Sequence, residues 1–198
     1  MNYLAHARLS FDDPEIVTGN LISDFVKGKK KFDYPPAIRD GISLHRSIDA
    51  FTDSHDSTAQ AKSFFRPAYR LYSGALTDVV YDHFLANDPE EFPGDSLATF
   101  ADNTYRQLGD NQEFFPEKFR RMFPYMRSQN WLLNYRTNEG IFSSFAGLAR
   151  RATAMPGPEA AYEVFGTHYR QLEACYTHFF PSLKTFAYNT LLQLLKDR

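Results

Sequence analysis

Prolines and Asp-Pro pairs divide this chain into segments whose apolar side chains recur at helical spacing. Proline lacks an amide hydrogen, so it is tolerated in the first turn of a helix and tends to end one elsewhere. No segment shows the alternation of apolar and polar residues that a half-buried strand requires. The pattern predicts an all-α protein. We expect one domain over residues 1–198, because composition does not change along the chain.

The same residues predict the helix boundaries. Asp12-Asp13-Pro14 begins a first helix that runs to about Phe25, and the basic Lys29–Lys31 run is a loop. Pro35-Pro36 begins a second helix that fades near 54–57, and a third runs from Pro67 to Asn87-Asp88-Pro89. Further helices are predicted over Ser96–Leu108, Pro116–Met126, Asn138–Thr153 and Pro158–Phe179, with a last helix after Pro181 through Leu195.

Composition excludes several classes of protein. Hydrophobic residues make up 43% and aromatic residues 16%, which is enough for a packed interior. The formal charge of -2 does not favour nucleic-acid binding, and a single cysteine, Cys175, excludes an intramolecular disulfide and is expected in the core. Since a signal-peptide pattern and an apolar run of about 18 residues are both missing, we expect a cytoplasmic protein without a membrane span.

Several ionisable residues fall on the apolar faces of the predicted helices. On the second helix, one face carries Ile38, Ile42, His45, Asp49 and Thr52. The third helix repeats this spacing with Leu71, Ala75, Asp78, Asp82 and Leu85, and Asp24 lies one turn beyond Leu21 on the first helix, which predicts that it too points inward.

Inward carboxylates need partners, because burying an unpaired one costs several kcal/mol. A divalent cation bound by His nitrogens and Asp oxygens would neutralise them, and the excess of aspartate over histidine favours Mn or Mg over structural Zn. The alternative is a network without metal. In that case His45 and His83 are core histidines, and Asp49 and Asp53 pair with Arg46 and its basic neighbours.

Five segments carry a resemblance to a known family. These segments are Asn2-Tyr3-Leu4-Ala5-His6, Gly19-Asn20-Leu21-Ile22-Ser23-Asp24-Phe25, Gly41-Ile42-Ser43-Leu44-His45-Arg46-Ser47-Ile48-Asp49, Phe51-Thr52-Asp53-Ser54-His55 and Asp78-Val79-Val80-Tyr81-Asp82-His83-Phe84-Leu85. They resemble the signature segments of the acyl carrier protein phosphodiesterases, divergent relatives of the HD-domain phosphohydrolases.

The resemblance implies an HD-domain-like helical bundle that uses a divalent metal, manganese before magnesium or iron, to release 4'-phosphopantetheine from holo-acyl carrier protein. It implies a pool of metal-site residues: His6, Asp24, His45, Asp49, Asp78, Asp82 and His83. The expected catalytic residues are Asp24, His45, Arg46 and His83. From residue type, Arg46 is expected as a phosphoryl-oxygen donor and either His83 or a metal-bound water as the acid for the leaving group. His45 is followed by Arg46 and not by the Asp of an ordinary HD pair.

Two other functions fit the same residues. One is an HD-type phosphohydrolase that acts on a nucleotide or another small phosphodiester, and the other is a noncatalytic module that binds carrier protein. For an acidic carrier partner, the recognition rim is Lys27 with Lys29–Lys31, or Arg66 with Arg70, although a lysine run can equally be a solvated loop. Phe64, Phe65 and Tyr69 can line a pantetheine channel, but core packing is the default for such aromatics.

Overall fold

Capping residues and prolines set many of the helix starts. Asp13 directly precedes Pro14 and accepts hydrogen bonds from the backbone amides of Glu15 and Ile16. Thr137 accepts a hydrogen bond from the backbone amide of Gly140. The computed structural model describes residues 1–152 and 154–197. In these ranges the α-helices are α1 Tyr3–Arg8, α2 Pro14–Ile22, α3 Pro36–Ser54, α4 Asp56–Tyr69, α5 Ser73–Ala86, α6 Ser96–Asp110, α7 Glu117–Ser128, α8 Trp131–Asn134, α9 Asn138–Arg151, α10 Pro158–Thr167 and α11 Tyr169–Lys196.

The all-α prediction is confirmed, since the described residues contain no strand. The second predicted helix matches α3, and the predictions over residues 96–108, 116–126 and 138–153 match α6, α7 and α9 within a few residues. The last residue of that third prediction, Thr153, lies outside the described residues.

The predicted third helix is wrong at its start. Pro67 does not begin a helix, because it lies inside α4, and the real break comes at Arg70, whose φ of 44° is left-handed. Helical spacing does not continue across that break. Leu71, expected on the buried face, is therefore 96% exposed.

Three other boundaries differ from the predictions. Helix α2 ends at Ile22, and a 3₁₀ turn over Ser23–Phe25 follows it. The lysine run lies in an exposed 3₁₀ turn, Gly28–Asp33, where a loop was expected. At the C-terminal end the break falls at His168, while Pro181 is accommodated within α11.

Two glycines let α2 and α3 cross closely. A Cβ on Gly19 would overlap the carbonyl oxygen of Ile38, and a Cβ on Gly41 would overlap that of Ile16. Any side chain at either position would push the helices apart. This close crossing positions the residues that follow, Asn20 on α2 and His45 on α3.

A single apolar cluster joins the helices. Its largest fully buried side chains include Phe65 and Tyr69, so the default prediction that these two belong to the core is confirmed. Cys175 is buried as expected, and burial raises the pKa of its thiol. Among the described helices, none is both long enough and apolar enough to traverse a bilayer.

Candidate metal centre

Three side chains from two helices converge at the N-terminal end of the fold. His6 comes from α1, and His45 and Asp49 lie one turn apart on α3. Their ligand atoms all lie within 4.8 Å of one another. Nε2 of His6 is 3.2 Å from Oδ1 of Asp49, and Nε2 of His45 is 3.1 Å from Oδ2 of the same carboxylate. The two imidazole rings stack with their centroids 3.9 Å apart.

The surroundings of His6 determine where its proton lies. The side-chain amide of Asn20 donates to the His6 carbonyl and to Ser10 Oγ, each at 3.0 Å, which turns its oxygen towards His6 Nδ1 at 2.8 Å. Nδ1 therefore donates to Asn20. Burial, with the nearby positive charge of His45, lowers the pKa of His6 to about 4 despite the attraction of Asp49, so the ring is neutral at pH 7.

A neutral His6 protonated on Nδ1 presents a bare lone pair at Nε2. This buried atom has no hydrogen-bond partner among the described residues, although Asp49 Oδ1 lies 3.2 Å away. Two acceptors thus face each other with no proton between them, an arrangement that repels unless a cation lies between the atoms. The donor set is that of a divalent metal site, and a second-layer amide that orients a ligating imidazole is usual in such sites.

His45 carries the proton that balances the neighbouring carboxylates. Burial alone would lower the pKa of His45, but hydrogen bonds to Asp24 and Asp49 outweigh burial and raise it to about 9. In return, the hydrogen bond from His45 lowers the pKa of Asp24. Burial alone would raise the pKa of Asp49, but the hydrogen bond from His45 and the positive charge of the Met1 ammonium outweigh burial and lower it. A cation entering the site would have to displace the His45 proton from Nε2.

Asp24 lies at the mouth of the cluster, which corrects the prediction that it points inward. Its side chain is 66% exposed, because the 3₁₀ turn after Ile22 rotates it away from the buried face of α2. Oδ1 nevertheless accepts a hydrogen bond from His45 Nε2 at 3.2 Å. Asp24, His6 and His45 all border a cavity of 10 Å³, which is about the space that one water molecule needs.

Asp78 and Asp82 lie beside the cluster, each with its own partner. The α-ammonium group of Met1 is 3.1 Å from Asp78 and 3.6 Å from Asp49. Burial disfavours this buried charge, but Asp78 and Asp49 outweigh burial and raise the pKa of the amine. Asp82 accepts hydrogen bonds from the amides of Asn2, Leu4 and Ala5 at 3.2, 2.7 and 3.3 Å, and so caps the first turn of α1.

The carboxyl group of Asp82 is fully buried. Burial raises its pKa to about 7, while the Met1 ammonium and the three α1 amides pull it down. Its oxygens are already used by the backbone, so its geometry is that of a structural cap. Among the described residues, the group able to hold a metal comprises His6, His45 and Asp49 without it.

Comparison with known proteins places the chain in a family. The family model for acyl carrier protein phosphodiesterase matches residues 1–183. The chain belongs to this family. A relative from Klebsiella pneumoniae, named acyl carrier protein phosphodiesterase, is 33% identical over 97% of this chain and 100% of its own length. Relatives of the same name from Photorhabdus laumondii and Yersinia pestis are each 31% identical, covering 96% and 92% of this chain and 96% and 95% of their own. No solved structure matches the chain.

His83, the expected acid for the leaving group, does not lie in the cluster of His6, His45 and Asp49. Its Nδ1 donates to the carbonyl of Tyr135 at 2.8 Å, and its Nε2 lies 3.1 Å from the hydroxyl of Tyr169. It lines a cavity of 600 Å³ with Arg136 and Phe165, and none of that cavity's residues borders the small cavity at Asp24. Burial lowers the pKa of His83, so it is neutral at pH 7.

Arg46 is held by backbone oxygens. Its guanidinium donates to the carbonyls of Val26 at 2.7 Å and Gly28 at 3.4 Å. These bonds hold the segment after Asp24 against α3. Among the described residues Arg46 forms no ion pair, and its role as a phosphoryl-oxygen donor stays a prediction.

Sequence reasoning missed two parts of the centre, the amide of Asn20 and the Met1 ammonium. Asn20 belongs to a segment quoted for the family resemblance, and it directly follows Gly19 at the helix crossing. The signal available in the sequence was a side-chain amide directly after a glycine within a predicted helix. The contact of Met1 had no signal, because helix periodicity does not reach the residues ahead of a six-residue helix.

Proposed function

We propose that this protein hydrolyses holo-acyl carrier protein to apo-acyl carrier protein and 4'-phosphopantetheine, using a divalent metal ion that is Mn²⁺ in preference to Mg²⁺ or Fe²⁺. This chain belongs to the acyl carrier protein phosphodiesterase family. Within that family, the proposal rests on one observation in this structure: the buried lone pair of His6 Nε2 faces Asp49 with no proton between them. A metal cation between the two atoms would make that pair of acceptors favourable.

His6, His45 and Asp49 would hold the ion, and the neighbouring Asp24 oxygen is a further donor. Imidazole with carboxylate suits Mn and Fe better than an all-oxygen Mg site. When bound, such an ion lowers the pKa of coordinated water and neutralises charge on phosphoryl oxygens. Neither Asp78 nor Asp82 is needed as a ligand, since both have partners of their own.

The chain's own residues divide the remaining work. Asn20 fixes the tautomer of His6, and Arg46 positions the segment that carries Asp24. Asp24 is the exposed carboxylate of the cluster. We therefore assign it the role of accepting a hydrogen bond from the attacking water at the cavity mouth. His83 is assigned a structural role, because both ring nitrogens already have partners.

An acidic carrier protein would meet basic charge beside the site. The turn at 28–33 is exposed apart from Lys31, and Arg66 and Arg70 are exposed too. The two arginines, however, line a cavity of 780 Å³ together with Asp78, and the Met1 ammonium joins Asp78 to Asp49 of the centre. We assign the recognition rim to the arginines. Reversing both to Glu is expected to raise KM about tenfold at low salt and little at high salt, because rim charges are screened. An unchanged KM at low salt would contradict the assignment of the recognition rim to Arg66 and Arg70.

Intact-mass spectrometry of holo-acyl carrier protein incubated with enzyme and Mn²⁺ tests the function. We expect the carrier to lose the mass of phosphopantetheine, and a chelator to stop the loss. If the carrier stays unmodified while bis(4-nitrophenyl) phosphate is cleaved, the protein is a phosphohydrolase of small diesters. Binding of carrier with neither reaction would identify a noncatalytic module.

A further inference from the structure

A further cavity lies against Tyr3, which also borders the candidate metal centre. It measures 480 Å³ and is lined along its length by Val79, Met122, Trp131 and Leu148. We name it the α9 cavity, because α9 supplies one of its walls. Asn2 and Tyr3 border both the α9 cavity and the small cavity at His6, Asp24 and His45. The two spaces therefore share these two residues as part of their walls.

We propose that the α9 cavity binds the pantetheine arm of the substrate, with Arg150 and Arg151 at its mouth holding the phosphate against the metal centre. This inference rests on the proposed function. It adds a binding site that extends away from the reacting phosphate. With this site the protein recognises the pantetheine arm of the substrate as well as its phosphate ester.

Tyr3 connects the two spaces electrostatically. Burial raises the pKa of its phenol to about 12, with the positive charge of Arg151 opposing the rise and the Asp24 carboxylate adding to it. The hydroxyl also lies 3.6 Å from Met122 Sδ. Thus the guanidinium that borders the α9 cavity and the carboxylate at the centre both act on one hydroxyl group. Since Asn2 and Tyr3 line both cavities, a phosphate bound between Arg151 and Tyr3 would lie against residues that also border the centre.

The chemistry of the cavity fits a long, thin ligand with an anionic end. Ligand sites in proteins usually enclose roughly 300 to 1,000 Å³ and combine apolar walls with a few polar groups. Here apolar side chains share the lining with Arg150 and Arg151, whose guanidinium groups are favoured donors for phosphate. Ser143, Ser144 and Asn134 also line the space. Ser144 Oγ donates to the carbonyl of Gly140 and the Asn134 amide donates to that of Gln129, which leaves the oxygens of both side chains to accept from the amide groups of pantetheine.

Gly147 keeps the α9 cavity open without serving the packing of the fold. A Cβ there would meet only the end of the Arg150 side chain, at 3.8 Å. By contrast, a Cβ on Gly140 of the same helix would overlap the carbonyl of Asn134. The glycine at 147 therefore leaves space on the cavity wall that a larger side chain would fill without disturbing the backbone.

Trp131 provides a direct probe, because it is the only tryptophan in the chain and lines the α9 cavity. In metal-free protein we would titrate 4'-phosphopantetheine, pantetheine and inorganic phosphate while following tryptophan fluorescence, with calorimetry as a second readout. Gly147→Leu fills the cavity, and Arg151→Gln removes the guanidinium. Gly166→Leu is the matched control, because Gly166 is also a helical glycine with open space and lines the separate cavity at His83.

We expect saturable binding of 4'-phosphopantetheine, with pantetheine and the Arg151→Gln variant each about tenfold weaker through loss of the charged contact. Gly147→Leu should weaken binding at least about tenfold, while Gly166→Leu binds like the wild type. No saturable binding to wild-type protein, or equal binding to Gly147→Leu, would overturn the inference. Binding without hydrolysis of holo-acyl carrier protein would support the cavity and remove the proposed function, and hydrolysis without binding would do the reverse.

Discussion

His6 and His83 are equally buried, each 3% exposed, yet their surroundings differ in one respect that separates a candidate ligand from a structural residue. Both nitrogens of His83 have hydrogen-bond partners, a carbonyl at Nδ1 and a tyrosine hydroxyl at Nε2. His6 has one such partner, the Asn20 oxygen at Nδ1, and its other nitrogen faces a carboxylate without a proton.

The comparison shows that burial alone is a poor guide to the role of a histidine. A buried ring whose two nitrogens are both bonded is complete, and protonating it or binding a metal to it would break a bond that it already has. A buried ring with one fixed nitrogen and one bare lone pair is incomplete. That lone pair has a defined direction, and at His6 it is directed at Asp49, which His45 also contacts.

The largest effect should come from removing the carboxylate that both imidazoles share. Asp49→Asn withdraws the charge between His6 and His45, so we expect Mn²⁺ affinity and turnover of holo-acyl carrier protein each to fall at least about a hundredfold. The measurements are calorimetric Mn²⁺ titration and steady-state kinetics. Asp53→Asn is the control, since Asp53 lies one turn further along α3 and pairs with Lys62 at 2.7 Å. Equal effects of the two substitutions would contradict the assignment of the centre.

A smaller effect is expected when the partner of each histidine is removed in turn. Asn20→Ala takes away the oxygen that fixes His6, so Mn²⁺ affinity should fall by roughly 10- to 100-fold. Tyr169→Phe removes the hydroxyl from His83 and should cost about 1 kcal/mol of unfolding free energy with Mn²⁺ affinity unchanged. Mn²⁺ titration and urea unfolding of both variants check this contrast. If Tyr169→Phe weakens Mn²⁺ binding as much as Asn20→Ala does, the distinction between the histidines fails.

The contrast also shows what the sequence could predict. The spacing of His45 and Asp49 placed them on one face correctly, because α3 is regular from Pro36 to Ser54. Leu71 and Asp24 were misplaced, because a left-handed residue and a 3₁₀ turn interrupt the helical period just ahead of each. Periodicity gives a direction only within an unbroken helix.

The roles of the two contrasted histidines lay beyond periodicity altogether. Both were in the pool implied by the family resemblance, but the partners that distinguish them are 14 residues away for His6 and 52 and 86 residues away for His83. Which nitrogen is free depends on these distant contacts. It therefore follows from the tertiary structure, and no local pattern of residues encodes it.

The smallest effect is a pH dependence of stability that the metal-free protein should show in opposite directions at His83 and His45. Burial lowers the pKa of His83, with the Tyr135 carbonyl and Glu173 pulling upward, so protonation below about pH 6.5 favours the unfolded chain. Its contribution is present above that pH and is lost as pH falls, with a slope of at most about 1.4 kcal/mol per pH unit.

His45, whose pKa is raised to about 9, contributes stability below about pH 6.5 that is lost as pH rises through 9. Urea unfolding between pH 4.5 and 9.5 checks both signs. In His83→Gln the decline on the acid side should become shallower while the alkaline decline persists, and His45→Gln should do the opposite. A steeper acid decline in His83→Gln would mean that the folded protein tolerates a charged His83. That histidine would then be available for proton transfer, and the contrast with His6 would no longer separate a structural ring from a functional one.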